Sequence, residues 1–447
     1  MDSRTSIFRN GKIHPMLPLT RVEKIIRQDL HHNVIVNLLE GGLFGAALGF
    51  ASFSTIIPLF VASMTNSATL IGLVPAIHGV GWQFPQLFTA GHVSRLRRYK
   101  RNVLLMTIHE RVPFLCIGVT ALFIPTIGVK ASLILTFIFL TWQGLGGGFT
   151  ANSWISMISK IIPSEFRGTF FGSQASVANI LISISAVGAG YLLGWLASPL
   201  DFAACFLIAC IFFTLSWFAL AQTREPEDTE KVIDENQPPF WQEAKRILKQ
   251  NRNFDWFITA RFLSQFATMG FSFYILYALR RFNMNEVTAG YLTASLTISQ
   301  TIANAGMGWL GDRIGHRLML ILGAIAALLS STLAWFAISI AWFYPIFILA
   351  GLANVSIWTT GMTMTVNFSG EKERPLYIGL SQTLIAPATI IAPLLGGFIV
   401  DTISFKSTFA FSVIISILVT IILILLVKDP QRHGIARSTI VQVEDNI

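Results

Sequence analysis

Twelve times along its 447 residues the chain runs for roughly 20 or more mostly apolar residues between breaks marked by charge, Pro or Gly. A helix rises about 1.5 Å per residue, so a run of that length crosses the hydrocarbon core of a bilayer, about 30 Å thick. The charge content agrees, because only 12% of residues are Asp, Glu, Lys or Arg, about half the share of a soluble chain. The expected spans are 33–61, 69–92, 102–125, 131–157, 172–197 and 202–221, then 254–279, 287–310, 318–338, 342–367, 377–400 and 405–427. The fold class this predicts is all-α, a polytopic membrane protein with twelve transmembrane helices.

A net charge of +9 would point to nucleic acid in a soluble protein. Its placement gives another explanation. With twelve spans, one side collects 26 Lys and Arg residues and the other only four, Lys130, Arg280, Arg281 and Lys406. Basic loops stay in the cytoplasm, so both termini are expected there, attracted to anionic lipid headgroups and needing no nucleic acid. Residues 1–32 lack the pattern of a secretory signal. Within them Thr20-Arg21-Val22-Glu23 reads as a capping box opening a short helix on the inner membrane surface, with Val22, Ile25, Ile26 and Leu30 on one face. Cys116, Cys205 and Cys210 lie in apolar runs without metal-ligand spacing, so neither a disulfide framework nor a zinc site is expected.

The longest polar stretch, 222–253, holds an acidic run from Glu225 to Glu235, followed by Phe240, Trp241, Ala244, Ile247 and Leu248 on one stripe, as in an interfacial helix. It divides the chain into a cytoplasmic segment (1–32), a six-helix bundle (33–221), a linker (222–253), a second six-helix bundle (254–427) and a tail (428–447). The two bundles read as pseudo-symmetric halves. Arg167-Gly168-Thr169-Phe170-Phe171-Gly172 and Arg374-Pro375-Leu376-Tyr377-Ile378-Gly379 each place an acid before the arginine and a glycine five residues after it. Paired helical halves with a binding site between them near mid-membrane are the usual construction of secondary transporters.

Between spans eight and nine the chain reads Gly308-Trp309-Leu310-Gly311-Asp312-Arg313-Ile314-Gly315-His316-Arg317. This resembles the loop signature of the major facilitator superfamily, a glycine, then Asp-Arg, then a glycine before basic residues. In the first half the corresponding 90–101 keeps the basic end, but Ser94 stands where an aspartate is expected. The resemblance implies that spans one, four, seven and ten line a cavity exposed to each side in turn. It also makes Gly308, Asp312, Arg313, Gly315 and Arg317, with Arg167 and Arg374, candidates for conformational gating. In span five Tyr191 replaces the proline of the family's antiporter pattern, while Ala392-Pro393-Leu394-Leu395-Gly396-Gly397 in span eleven looks closer to it.

A charge at mid-membrane costs about 2.5–3.5 kcal/mol on insertion scales and asks for a partner or a wet cavity. Glu40, Glu110, Arg111 and Arg261 are such charges. Glu40, Arg111 and Arg261 sit at similar depth, roughly 10–14 Å from the cytoplasmic ends. Two pairings compete: Glu40 with Arg111 inside the first half, or Glu40 with Arg261 across the halves. With Gln143, Gln265, Asn354 and Trp358 these residues are the candidates for substrate or proton binding, and the amides and aromatics suit an amphipathic solute.

No nucleophile triad, metal cluster, phosphate loop or haem pattern appears, so neither an enzyme nor a cofactor is expected. The function expected is secondary active transport of a small organic solute by alternating access. The chain is read as a proton-coupled exporter of an amphipathic compound, monomeric, in a plasma membrane of bacterial inner-membrane type. The competing readings are a nutrient importer and a receptor or scaffold that keeps the fold without translocating.

Overall fold

In lipid a backbone with no water to bond must satisfy itself, and an apolar run does so as a helix. The computed structural model describes residues 8–9, 12–13, 21–94, 96–163, 166–227, 240–369 and 374–430. Apart from a small antiparallel pairing of Phe8–Arg9 with Lys12–Ile13, its regular structure is helical. The first helices are α1 (Arg21–Phe50), α2 (Ile56–Met64), α3 (Ala68–Ser94), α4 (Lys100–Met106), α5 (Ile108–Leu122), α6 (Ile124–Ile127), α7 (Val129–Ile161), α8 (Arg167–Trp195) and α9 (Leu200–Ala221). After α10 (Phe240–Gln250) come α11 (Arg252–Ala267), α12 (Tyr274–Phe282), α13 (Glu286–Ile314), α14 (His316–Phe336), α15 (Phe343–Val355), α16 (Gly361–Asn367), α17 (Arg374–Thr402) and α18 (Phe405–Leu425).

Ten of the resulting helical segments are long and apolar enough to cross a membrane. The long helices α3 and α13 fall outside that set, and they carry most of the contacts between the early and late helices: α8 packs on α13, and α3 on α17, with a smaller contact of α2 on α12. Most other packing stays within each group. Helix α1 lies on α8 and α9, α5 on α7 and α9, α14 on α15 and α18, and α11 on α17 and α18.

Two expectations need correction. The short surface helix is not separate, because α1 runs unbroken from Arg21 into the first span. That span does not continue to residue 61 as one helix; it breaks at 51–55, where Ser52 Oγ accepts the Ser54 N–H in place of a helical carbonyl. Similar interruptions split two later spans, a 3₁₀ turn at Met269–Phe273 and a π-helical turn at Ser356–Thr360. Thr20 and the acidic run beyond residue 227 lie outside the described residues.

Side-chain bonds at the helix ends define two faces of the bundle. The Asn33 side-chain amide donates to Arg224 O at 2.9 Å while its oxygen accepts from Arg224 N at 2.8 Å. Asn253 does the same with Lys428, at 2.9 and 2.8 Å. Asn33 of α1 thus meets the end of α9 and the start of α11 the end of α18, while Arg280 after the other end of α11 reaches Asn66 beyond α2; the side holding the first two pairs is called here the terminal face, the opposite one the far face.

Candidate functional site

The α8–α13 seam is closed at one end and open at the other. A methyl group on Gly190 would stand 2.8 Å from Glu286 O, and one on Gly290 would stand 2.5 Å from Ala186 O. Further along, the Ser183 and Thr297 hydroxyls lie 2.5 Å apart. Gly172 sits about five turns from Gly190, hence on the same side of α8, and Gly308 about five turns from Gly290 on the same side of α13. Neither would meet anything within 4 Å. Helices touching at the far face thus diverge toward the terminal face. Along α3–α17 the far end is tight as well and loosens inward: a methyl on Gly72 would stand 2.6 Å from Pro393 O, one on Gly79 3.8 Å from Thr389 Cβ. Nearer the terminal face on the same two helices, the buried amide atoms of Gln83 and the Gln382 Oε1 have no partner.

Of the two competing pairings, the one inside the first group forms. Arg111 Nη2 lies 3.3 Å from Glu40 Oε1 and donates to Ser216 Oγ at 3.0 Å, while Nε donates to Phe213 O at 3.1 Å. Glu110 Oε2 is 4.0 Å from Arg111 Nη1, and the Phe44 ring covers the guanidinium. All three charged residues are at most 6% exposed. Two carboxylates therefore share one cation, supplied by α1, α5 and the α9 wall.

Arg261 does not meet Glu40. It donates to Ser381 Oγ at 2.5 Å and Thr365 Oγ1 at 3.3 Å, and its Nε has no partner. No carboxylate lies within ion-pair distance of it among the described residues. It borders a cavity of about 20 Å³ between α11, α14 and α18, room for about one water. The cross-half pair is thus absent in this conformation. Gln265, one turn on from Arg261, is half-buried with an unpartnered Nε2. Gln143 is buried against His78, its Oε1 3.4 Å from Nδ1, and that imidazole stacks on Phe53. Asn354 is half-buried, and Trp358 is exposed on the π-helical turn.

The gating candidates divide. Arg167 Nε donates to Ile162 O at 3.0 Å and its Nη2 to Ser159 O, so it caps the end of α7. Arg317 caps the end of α18 likewise, through Nε to Leu423 O at 2.9 Å and Nη2 to Ile424 O. Arg313 lies 4.0 Å over the Trp309 ring one turn earlier. Gly315 takes φ +100°, which a side chain would strain, and so turns α13 into α14. The side chains of Asp312 and Arg374 lie outside the described residues.

Sequence reasoning passed over the acids that serve these loops. Glu225 accepts from Tyr99 N at 2.9 Å, Lys100 N at 2.7 Å and Lys160 Nζ at 3.0 Å. It brings to the basic 97–101 loop the carboxylate that Ser94 does not provide. In the later helices Asp429 accepts from Arg317 N at 3.1 Å. Each acid comes directly after a basic residue whose backbone is read by an asparagine, Arg224 by Asn33 and Lys428 by Asn253. The signal was present as Arg224-Glu225 and Lys428-Asp429, each just beyond an apolar run.

These features define an integral, multi-pass helical membrane protein with a cleft between two groups of helices. The chain belongs to the Major Facilitator Superfamily, whose family profile matches residues 104–279 and 259–441. It is 27% identical over 161 residues to Multidrug resistance protein 2 of Bacillus subtilis (strain 168), covering 35% of this chain and 40% of that protein. It is 30% identical over 117 residues to the vesicular acetylcholine transporter of Torpedo marmorata, 26% of this chain and 23% of that one. These matches span less than half of each relative's length. Among solved structures it resembles a D-xylose-proton symporter, with TM-score 0.65, 14% identity, and 90% and 99% of the two chains covered. It also resembles a bacterial homologue of ferroportin, with TM-score 0.66, 14% identity, and 88% and 98% covered.

Proposed function

We propose that this chain is a secondary active transporter that moves a small organic solute by rocking two six-helix halves, twelve spans in all, with both termini in the cytoplasm. The observation that carries this reading is the seam that closes at Gly190 and Gly290 and opens at Gly172 and Gly308. One fold with a sealed end and a parted end is what alternating access requires. The matched Asn33–Arg224–Glu225 and Asn253–Lys428–Asp429 arrangements support two repeated halves, and the 26 to 4 distribution of Lys and Arg supports the orientation.

Proton coupling is supported by the buried cluster of Glu40, Glu110 and Arg111. Two carboxylates on one guanidinium leave an odd negative charge where water is scarce, and a proton is the simplest way to neutralise it. An amphipathic solute is supported by the mixture of half-buried amides and exposed aromatic surface at Gln265, Asn354 and Trp358, and export by the relative named for multidrug resistance. Reconstituted protein under an imposed pH gradient is the test. Movement of a lipophilic fluorescent dye that depends on the gradient, and is lost in Glu40→Gln or Glu110→Gln, is the expected result. Gradient-driven flux that survives in both variants sinks the proton role; binding with no flux under any gradient sinks transport itself.

A further inference from the structure

At the far face the start of α3 is held by residues of the late helices. Asp401, in the last turn of α17, accepts four hydrogen bonds from across the seam: Ala68 N at 2.6 Å, Thr69 N at 2.8 Å, Thr69 Oγ1 at 2.7 Å and Ser67 Oγ at 3.0 Å. The loop before them is held as well, by Arg280 Nη2 donating to Asn66 O at 2.8 Å. A methyl on Gly397, one turn before Asp401, would stand 2.6 Å from Thr69 Cα, so the two backbones meet directly beneath the carboxylate.

The placement of this acid is informative. A carboxylate in the last turn of a helix faces the negative end of its own dipole, and one at a helix start faces the positive end. Asp401 is therefore disfavoured by α17 and favoured by α3, so its electrostatic gain exists only while the two helices are together. Among the described residues the other seam has no equivalent; α8 and α13 are joined by neutral hydroxyls, Ser183 with Thr297 and Tyr191 with Tyr291. Asp401 is also exposed. Water can replace each bond as it breaks, which a sealed ion pair would not permit.

We propose that Asp401 is the latch of the far gate. Its carboxylate, capping α3 from the opposite half, holds the far face shut in this conformation and releases α3 when the cleft opens there. The proposal rests on the alternating-access reading above, and the experiment separates the two. Two reporters are placed in a background of Cys116→Ala, Cys205→Ala and Cys210→Ala: Ser183→Cys, buried in the far part of the seam, and Gly172→Cys, in the open part. Each is labelled with a membrane-impermeant maleimide, in vesicles of either orientation, with and without an imposed pH gradient. Asp401→Asn is expected to raise the Ser183→Cys rate from the far face about tenfold and to lower the Gly172→Cys rate from the terminal face, since charge-assisted bonds are the stronger kind. Rates within twofold of the parent overturn the latch, and so does a rise at both reporters, which reports a loosened fold. If Asp401→Asn does not yield monodisperse protein, Ser67→Ala combined with Thr69→Val removes the hydroxyl donors and is judged by the same two rates. A Ser183→Cys that labels in neither protein under any gradient sinks the rocking motion, and the latch with it. A parent that labels beside an Asp401→Asn that labels no faster sinks the latch alone.

Discussion

Gly361 lies so close to Arg261 that a methyl group on its Cα would stand 2.9 Å from the guanidinium Nε and 3.3 Å from Cζ. The contact sits where the π-helical turn of 356–360 gives way to α16. An extra residue in a helical turn displaces the residues after it and is a recurrent feature of functional sites. Here it brings a bare Cα to the one buried cation in the late helices, among the described residues, that has no acid beside it.

Gly361→Ala is accordingly expected to push Arg261 off Ser381 and Thr365 and to lower stability by about 1–3 kcal/mol, as overpacking does. Thermal unfolding in detergent checks it. The decisive comparison is the double variant with Arg261→Met: if the glycine matters only because of the guanidinium, the two losses will fall well short of additive.

Arg111→Met leaves Glu40 and Glu110 buried without their shared cation, at an expected loss of about 3–5 kcal/mol. Adding Glu40→Gln and Glu110→Gln to Arg111→Met should recover much of it, because the uncompensated charges go with them. Melting temperatures of the parent, Arg111→Met and the triple variant decide the matter; a triple variant no more stable than Arg111→Met contradicts the shared-cation account.

Gly172→Leu and Gly308→Leu separate folding from motion. Neither position has a neighbour within 4 Å, so both are expected to fold, with stability unchanged or higher by up to about 1 kcal/mol from the better helix former. Closure at the terminal face would bring the added side chains together. Solute flux in reconstituted vesicles should therefore fall at least about tenfold while the melting temperature holds. Undiminished flux would mean that this face of α8 never approaches α13.

Glu225→Gln weakens the acceptor for Tyr99 N, Lys100 N and Lys160, and Asp429→Asn the acceptor for Arg317 N. Each should cost about 0.5–2 kcal/mol, in the range of a lost helix cap. The first is expected to exceed the second, because Glu225 serves three donors, a half-buried ammonium among them. Thermal unfolding of both variants gives the order directly.

Much of the helical layout was legible because length and apolarity decide whether a segment can cross lipid, and both are read directly from the chain. The breaks at 51–55, 268–273 and 356–360 were not. No proline marks them; the first is closed by its own Ser52, whereas Gly270 N in the second is satisfied by Ser412 Oγ of a helix 142 residues away. The site was half legible. Depth along a helix comes from counting, and it placed Glu40, Arg111 and Arg261 at one level. The choice of partner depends on how each helix is rotated, which the mostly apolar stretches of α1 and α5 around these charges do not encode. Asp401 escaped notice as a charge at a span edge. Its position at the unfavourable end of α17 was the available clue, since an acid there gains only by serving the start of another helix. Gly308 was named as a gating candidate, and in this conformation it faces open space.

If the halves rock as proposed, the parting of α8 from α13 also sets a scale for the stroke. From Gly290 to Gly308 the helix is a rod about 27 Å long. Tilting such a rod by about 10° about its touching end swings its tip about 5 Å, close to the rise of one helical turn. A modest pivot at one rim is thus amplified into a passage at the other, and bulk added near the fulcrum will hamper the swing more than equal bulk on the outer wall.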